Sequence, residues 1–249
     1  MKKCEMIFGI RATLETIQTD KEINKILIRQ SFNNKLLRKL FFITKNKNIP
    51  VHRVPHKKLN QLTSKNHQGV ITFISAITYQ KLENIVPFLY EEGKVPLILL
   101  LDKVTDVRNF GAIARSCVCT GVNAIVIPID NNVSVNTDAI KTSAGALISL
   151  PVCRESSIIN AIEFLKMCGC KIYASTEKAI IPYTKIDYTH PTAIVVGNEN
   201  NGISQNILHI CDQSVKIPML GHISSLNVSV ATAVLLYEVV RQRNQKQLL

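Results

Sequence analysis

A chain of 249 residues with 46% hydrophobic content has room for one large domain or two modest ones with real cores. No run of about eighteen apolar residues occurs, so no helical membrane span is expected. The basic start, Lys2-Lys3, leads into no signal-like apolar region, and a cytoplasmic location is expected. The net charge of +12 is uneven: residues 1–75 hold 15 Lys/Arg against 4 Asp/Glu, or +11, which leaves +1 for the rest. A basic segment joined to a near-neutral one points to a polyanion-binding module, with nucleic acid the natural partner.

Seven cysteines is an odd count, none forms a C-x-x-C pair, and a disulfide framework is not expected. His52 and His56 sit at helical spacing, but Pro50 and Pro55 interrupt a helix there, so no metal pair is expected.

In chain order, Arg11 to Thr19 is predicted helical and Lys25 to Arg29 a strand. Asn34 to Lys47 carries Leu36, Leu37, Leu40 and Phe41 at helical spacing. A strand between Pro50 and Pro55, a helix over 57–65 and a strand over Gly69–Ile74 complete a small α/β unit. Residues 76–93 read as a linker, partly helical over Leu82–Glu91. From residue 94 onward, continuous apolar runs at Val95–Leu101, Ala124–Pro128 and Thr192–Gly197 suit parallel strands buried on both faces, and Lys171–Ser175 is a fourth candidate. The fold class is therefore α/β, with a mostly parallel sheet in the larger domain, 94–249.

Ligands of such sheets bind beyond the carboxyl ends of the strands, which directs attention to the loops after Leu101, Val196 and Ile217. No G-x-G-x-x-G and no G-x-x-x-x-G-K-[ST] is present, against a dinucleotide fold or a P-loop nucleotidase. The first loop opens a helix carrying Asn109 and Arg115, types that can hold a phosphate or ribose. The second is Gly197-Asn198-Glu199-Asn200-Asn201-Gly202-Ile203-Ser204, a polar turn bracketed by glycines. The third runs from Lys216 through Ile217, Met219, Ser225, Leu226 and Asn227 into a long helix. On that helix Val230, Ala233, Val234, Tyr237 and Val240 form an apolar stripe for core or subunit packing, and Arg241-Gln242-Arg243 is expected to end it. Taken singly, each loop also reads as a helix cap or plain turn.

Together the loops carry N-x-G-A-I-x-R, G-x-E-x-x-G-I-S and I-P-M-x-G-x-x-x-S-L-N-V-S-V-A, in that order. They resemble the motifs of the SpoU (TrmH-like) family of RNA 2′-O-ribose methyltransferases in the SPOUT superfamily. The resemblance covers about Pro96 to Arg243. Met6 to Ile74, with Gly9-Ile10 and His67-Gln68-Gly69-Val70, is similar to that family's substrate-binding domain, which is like ribosomal protein L30e. Arg11 and Val107 depart from the pattern, where His and Pro are usual.

The resemblance implies an L30e-like RNA-binding domain over 1–75 and a SPOUT catalytic domain with a deep trefoil knot at its carboxyl end. It implies S-adenosylmethionine as cofactor, held by Gly197, Ile217, Met219 and Leu226, with no metal. It places Asn109, Arg115, Glu199, Ser225 and Asn227 around the reacting ribose. It further implies a homodimer packed through the knotted region. The two-domain layout resembles most the branch acting on a guanosine of 23S rRNA. Enzymes acting on tRNA, antibiotic-resistance rRNA methyltransferases and a non-catalytic ribosome-assembly protein are the alternatives.

Overall fold

The computed structural model describes residues 5–247 except 20, 32, 34, 131, 132, 134, 199 and 200, and it does not describe the side chains of 246 and 247. The chain forms two compact units: residues 1–78 with 134–138, and residues 79–133 with 139–249.

The first unit runs β1 (Met6–Phe8), α1 (Ile10–Ile17), β2 (Ile23–Arg29), α2 (Lys35–Asn46), β3 (Val51–Val54), α3 (His56–Leu62) and β4 (Val70–Ile74). Its sheet has the order β1-β4-β2-β3, antiparallel except for β2 beside β3. Alternation along β2 sends Ile26 and Ile28 to one face, where they meet Ile10, Leu14 and Ile17 of α1 and Leu37 and Leu40 of α2. Leu27 points to the other face with Val54, Ile71 and Leu59 of α3. The strand at β1 has no counterpart among the expected elements, being too short for a periodic signal.

The second unit opens with α4 (Leu82–Glu91), β5 (Leu97–Asp102), α5 (Val107–Cys119), β6 (Ala124–Pro128), α6 (Thr137–Thr142), α7 (Ala146–Ser149) and β7 (Val152–Glu155). It continues with α8 (Ile158–Met167), β8 (Lys171–Ser175), β9 (Ile181–Pro182), β10 (Thr192–Gly197), α9 (Gln205–Ile210), β11 (Gln213–Lys216) and α10 (Val228–Gln247). Its seven-stranded sheet, β7-β6-β5-β10-β8-β11-β9, is parallel at every pairing. Helix α4 contributes Leu82, Val86 and Leu89 to this unit's core. The four anticipated strands are present; β7, β9 and β11 are short and lack a continuous apolar run.

Two details of α10 differ from expectation. The helix runs on to Gln247, past Arg241-Gln242-Arg243. Instead of closing the helix, Arg243 donates to the carbonyls of Val95, Pro96, Tyr188 and His190. The face turned to this chain's core is Val228, Thr232, Leu235, Leu236 and Val239. The stripe read from the sequence lies beside it, with Val230 48% and Tyr237 54% exposed.

The sheet sets the position of the site. Strand β10 lies between β5 and β8, with Gly197 in register with Asp102 of β5. Val215 of β11 is in register with Ser175 of β8. The carboxyl ends of these strands and the loops leaving them therefore share one edge of the sheet, where open α/β sheets bind ligands.

Candidate active site

The loop after β10 is held by its own backbone. Asn198 N–H donates to Gly202 O over 3.1 Å, and Gly202 N–H returns a bond to Asn198 O over 2.8 Å. A Cβ on Gly197 would stand 2.2 Å from the Gly202 carbonyl carbon and 2.4 Å from Ile203 N. Gly202 has φ of 64°, in the left-handed region. Two glycines thus serve two purposes: one permits close approach of backbone to backbone, the other permits the turn.

The loop after β5 braces this turn. Asn198 Nδ2 donates to Lys103 O over 2.9 Å, and Lys103 Nζ donates to Ser204 Oγ over 2.9 Å. The buried Asp102 carboxylate accepts from Ser204 N–H at 2.7 Å. Ser204 stands at the start of α9, but its hydroxyl faces Lys103 and makes no cap bond. A carboxylate at the end of a buried strand thus fixes the exit angle of the glycine turn.

The third loop, from Ile217 to Asn227, has no regular structure and leads into α10. Asn227 Oδ1 accepts from Ser229 N–H at 2.9 Å and from Ser229 Oγ at 2.6 Å, the arrangement of a helix N-cap. Its Nδ2 donates to Asn109 Oδ1 over 3.1 Å. Asp106 caps α5, accepting from the amides of Arg108 and Asn109, so the Asn109 side chain is not the cap of its own helix. Gly111 permits α5 to lie close to the end of α6, since a Cβ there would stand 2.5 Å from Thr142 Cβ.

The loop after β10 and the third loop line a cavity of about 330 Å³. Gly197, Ile217, Met219, Ser225 and Leu226 all line it, together with Val196, Asn198, Gly202 and Ser224. Asn109 and Asn227 meet one another beside the start of α10. Asn109, Asn227 and Arg115 do not line the cavity; Arg115 is exposed on α5, six residues beyond Asn109 and on a different side of the helix. Glu199 lies outside the described residues. Of the two departures from the family pattern, Arg11 is an exposed residue of α1, and Val107 opens α5 where a proline would also be accommodated.

One wall was not anticipated. Ser175, Thr176, Glu177 and Lys178, in the turn after β8, also line the cavity. Thr176 N–H donates to Val215 O over 2.9 Å, and Ala179 N–H donates to Thr176 O over 3.2 Å, so the turn is tied to β11. The strand itself was legible. Applying the strand-end rule to it, as to β5 and β10, would have found this loop. No group of His, Cys, Asp and Glu suited to hold a metal occurs among the described residues.

A parallel sheet with a glycine-cradled cavity at its strand ends places the chain among the SPOUT RNA methyltransferases. The profile of the SpoU rRNA Methylase family matches residues 96–237, and that for RNA 2′-O ribose methyltransferase substrate binding matches residues 6–80. The chain belongs to the SpoU family. It is 31% identical over 240 residues to YacO of Bacillus subtilis (strain 168), named for the TrmH family of tRNA/rRNA methyltransferases, with 96% of each chain covered. Among solved structures it is similar to the A. aeolicus TrmH/SpoU tRNA modifying enzyme, at 33% identity and TM-score 0.57, covering 67% of this chain and 86% of that one. The SpoU methyltransferase AviRb from Streptomyces viridochromogenes, solved in complex with AdoMet, matches at TM-score 0.62 over 96% of this chain and 90% of that one; its 23% identity speaks to the fold.

Proposed function

We propose that this chain methylates a ribose 2′-hydroxyl of RNA with S-adenosylmethionine as donor, and that a guanosine of 23S rRNA is its substrate. The observation that carries the reading is the convergence of Gly197, Ile217, Met219, Ser225 and Leu226 on one cavity from separate loops. The residues present fit such a cofactor. A volume of about 330 Å³ lies within the range of small-molecule sites, and Gly197 leaves backbone accessible where any Cβ would collide with Gly202. Gly197, Ile217, Met219 and Leu226 would hold the group, largely through main chain and apolar contact. It supplies a methyl already activated on sulfur, so this chemistry calls for no metal.

The protein's own task is alignment of the attacking oxygen and management of one proton. Asn109 and Asn227, joined side chain to side chain, orient the ribose; Ser225 and Glu199 complete its surroundings. Arg115 offers a planar fork of N–H donors and no acceptor, so its part is to bind an anion and not to take the proton. It holds the neighbouring phosphate and polarises the 2′-hydroxyl, and the proton leaves to phosphate or water. The enzyme works in the cytoplasm as a homodimer through a carboxyl-terminal trefoil knot. The half-exposed apolar stripe Val230, Ala233, Val234, Tyr237 and Val240 supports a second copy against α10, beside each site.

The division of labour assigns RNA grip to an L30e-like domain over 1–75 and chemistry to 94–249; of the 76–93 segment read from the sequence as a linker, α4 packs into the second unit's core. The +11 charge of the first segment supports this, since folded RNA is gripped through phosphates and 2′-hydroxyls. The A. aeolicus tRNA modifying enzyme, similar over 67% of the chain, favours tRNA as the second reading. Mapping 2′-O-methyl sites in total RNA from cells with and without the gene tests both. Loss of one 23S rRNA guanosine methyl is the expected result, loss of a tRNA methyl selects the alternative, and no lost site refutes the proposal.

A further inference from the structure

The sheet of the first unit has two unequal faces. One is sealed by α1 and α2. On the other, among the described residues, Leu59 of α3 packs with Leu27, Val54 and Ile71, and Met6, Phe8 and Phe73 are half-buried beside them. Strand register defines what stands there. Met6 of β1, Phe73 of β4 and Lys25 of β2 are partners in one row across the sheet; Phe8, Ile71 and Leu27 form the next. Phe8 and Phe73 are therefore diagonal neighbours on adjacent strands, about 7–8 Å apart.

Each ring carries a cation over its face. Lys25 Nζ lies 5.5 Å from the Phe73 ring centroid, and Lys65 Nζ lies 5.7 Å from that of Phe8. A ring face that accepts an ammonium group offers the same π surface to a planar base. Glu5, the carboxylate next to Met6 in sequence, is engaged by Lys21 over 2.8 Å, so its charge is already answered.

We propose that this face of β1, β4 and β2 is a stacking platform for unpaired nucleotides of the RNA substrate. Phe8 and Phe73 take neighbouring bases, and Lys25 and Lys65 move from the rings to the flanking phosphates. Aromatic stacking of this kind tolerates any base and needs bases freed from a duplex, because paired bases bury their faces. The charge of the segment argues for RNA over an apolar protein partner. The site rests on the RNA-substrate reading above but names a surface, a set of residues and a strandedness which that reading leaves open.

The test uses the full chain and two labelled probes, an unstructured RNA of about twelve nucleotides and the matching duplex, followed by anisotropy over a salt series. The parent is expected to prefer the single strand. The double variant Phe8→Leu, Phe73→Leu keeps apolar volume and is expected to lose about tenfold in single-strand affinity, with its salt slope and melting temperature retained. The Phe8→Tyr, Phe73→Tyr pair is expected to bind as the parent does, and Lys25→Gln with Lys65→Gln to bind less tightly with a flatter salt slope. Unchanged affinity in the leucine variant overturns the platform, as does equal preference for duplex. Loss of the homodimer in that variant would assign the face to a second copy and overturn it too. A parent protein that binds neither probe also overturns the platform, whereas the RNA-substrate reading fails only if no 2′-O-methyl site is lost without the gene, so the two failures are distinguishable.

Discussion

Asn227 Nδ2 donates to Asn109 Oδ1 over 3.1 Å, joining the entrance of α10 to the first turn of α5 across 118 residues of chain. Asn227 simultaneously caps α10 through Ser229, so its carbonyl oxygen serves the helix and its amide serves the site. Asn227→Asp separates the roles. The aspartate keeps the cap acceptor but has no amide to donate. We expect a melting temperature close to the parent's and a single-turnover methylation rate lower by about tenfold or more, the scale of lost alignment. Adding Asn109→Ala to it should cost much less than Asn109→Ala costs alone; full additivity of the two would contradict the pairing.

Gly197→Ala should abolish measurable binding of S-adenosylmethionine by calorimetry. The new methyl would stand 2.2 Å from the Gly202 backbone, so the turn must move and the cavity wall with it. Overpacking of this kind costs about 1–3 kcal/mol, which denaturant unfolding can read. Gly221, where a Cβ would meet nothing within 4 Å, is the control, and Gly221→Ala should bind normally.

Asp102 links the end of β5 to the glycine turn through Ser204 N–H. Asp102→Ala strands that amide and should destabilise the fold by about 1–3 kcal/mol, while Asp102→Asn retains an acceptor and should cost less. Equal losses in the two variants would mean that the bond to Ser204 is not what Asp102 contributes.

His67 gives the first unit a pH dependence. It is buried, its Nδ1 accepts from Gly69 N–H at 3.0 Å, and its Nε2 is 2.9 Å from Asn60 Oδ1. Burial first, then the neighbouring His56 and Arg29, hold its pKa below the usual value of 6.5. The unfolded chain therefore takes up a proton that the folded chain refuses. Stability from this group is complete above about pH 6.5 and falls as the solution is acidified below it. Thermal melts should show a drop between about pH 7.5 and 5.5 that His67→Gln reduces. An identical pH profile in the variant would rule His67 out as the cause.

Arg115→Lys keeps the charge but loses the planar fork that grips phosphate at two points. The single-turnover rate should fall by about tenfold or more, with S-adenosylmethionine affinity unchanged because Arg115 is outside the cavity. A lysine variant retaining nearly full rate would defeat a specific guanidinium role.

Much of the candidate site was legible because its residues stand in short motifs next to buried strands. Leu97–Leu101 and Thr192–Val196 announce themselves as apolar runs, and ligand loops follow such strands. The turn at Thr176–Lys178 was missed because its residues are ordinary in type; they matter only because β8 pairs with β10. The short strands β1, β7, β9 and β11 were missed because a strand of few residues has too little periodicity to read, and pairing with a neighbour makes it one.

The sequence by itself determined the concentration of positive charge in residues 1–75, the parallel α/β class, and the residue types gathered at the strand ends. Those follow from composition and local periodicity, which each segment carries with it. Only the tertiary structure decided which face of α10 belongs to this chain's core, that Asn109 meets Asn227, and that Arg115 stands away from the cavity. The helix is apolar on two adjacent faces, so its pattern does not select one of them. Contacts across more than a hundred residues are set by how strands pair, and no local pattern encodes that choice.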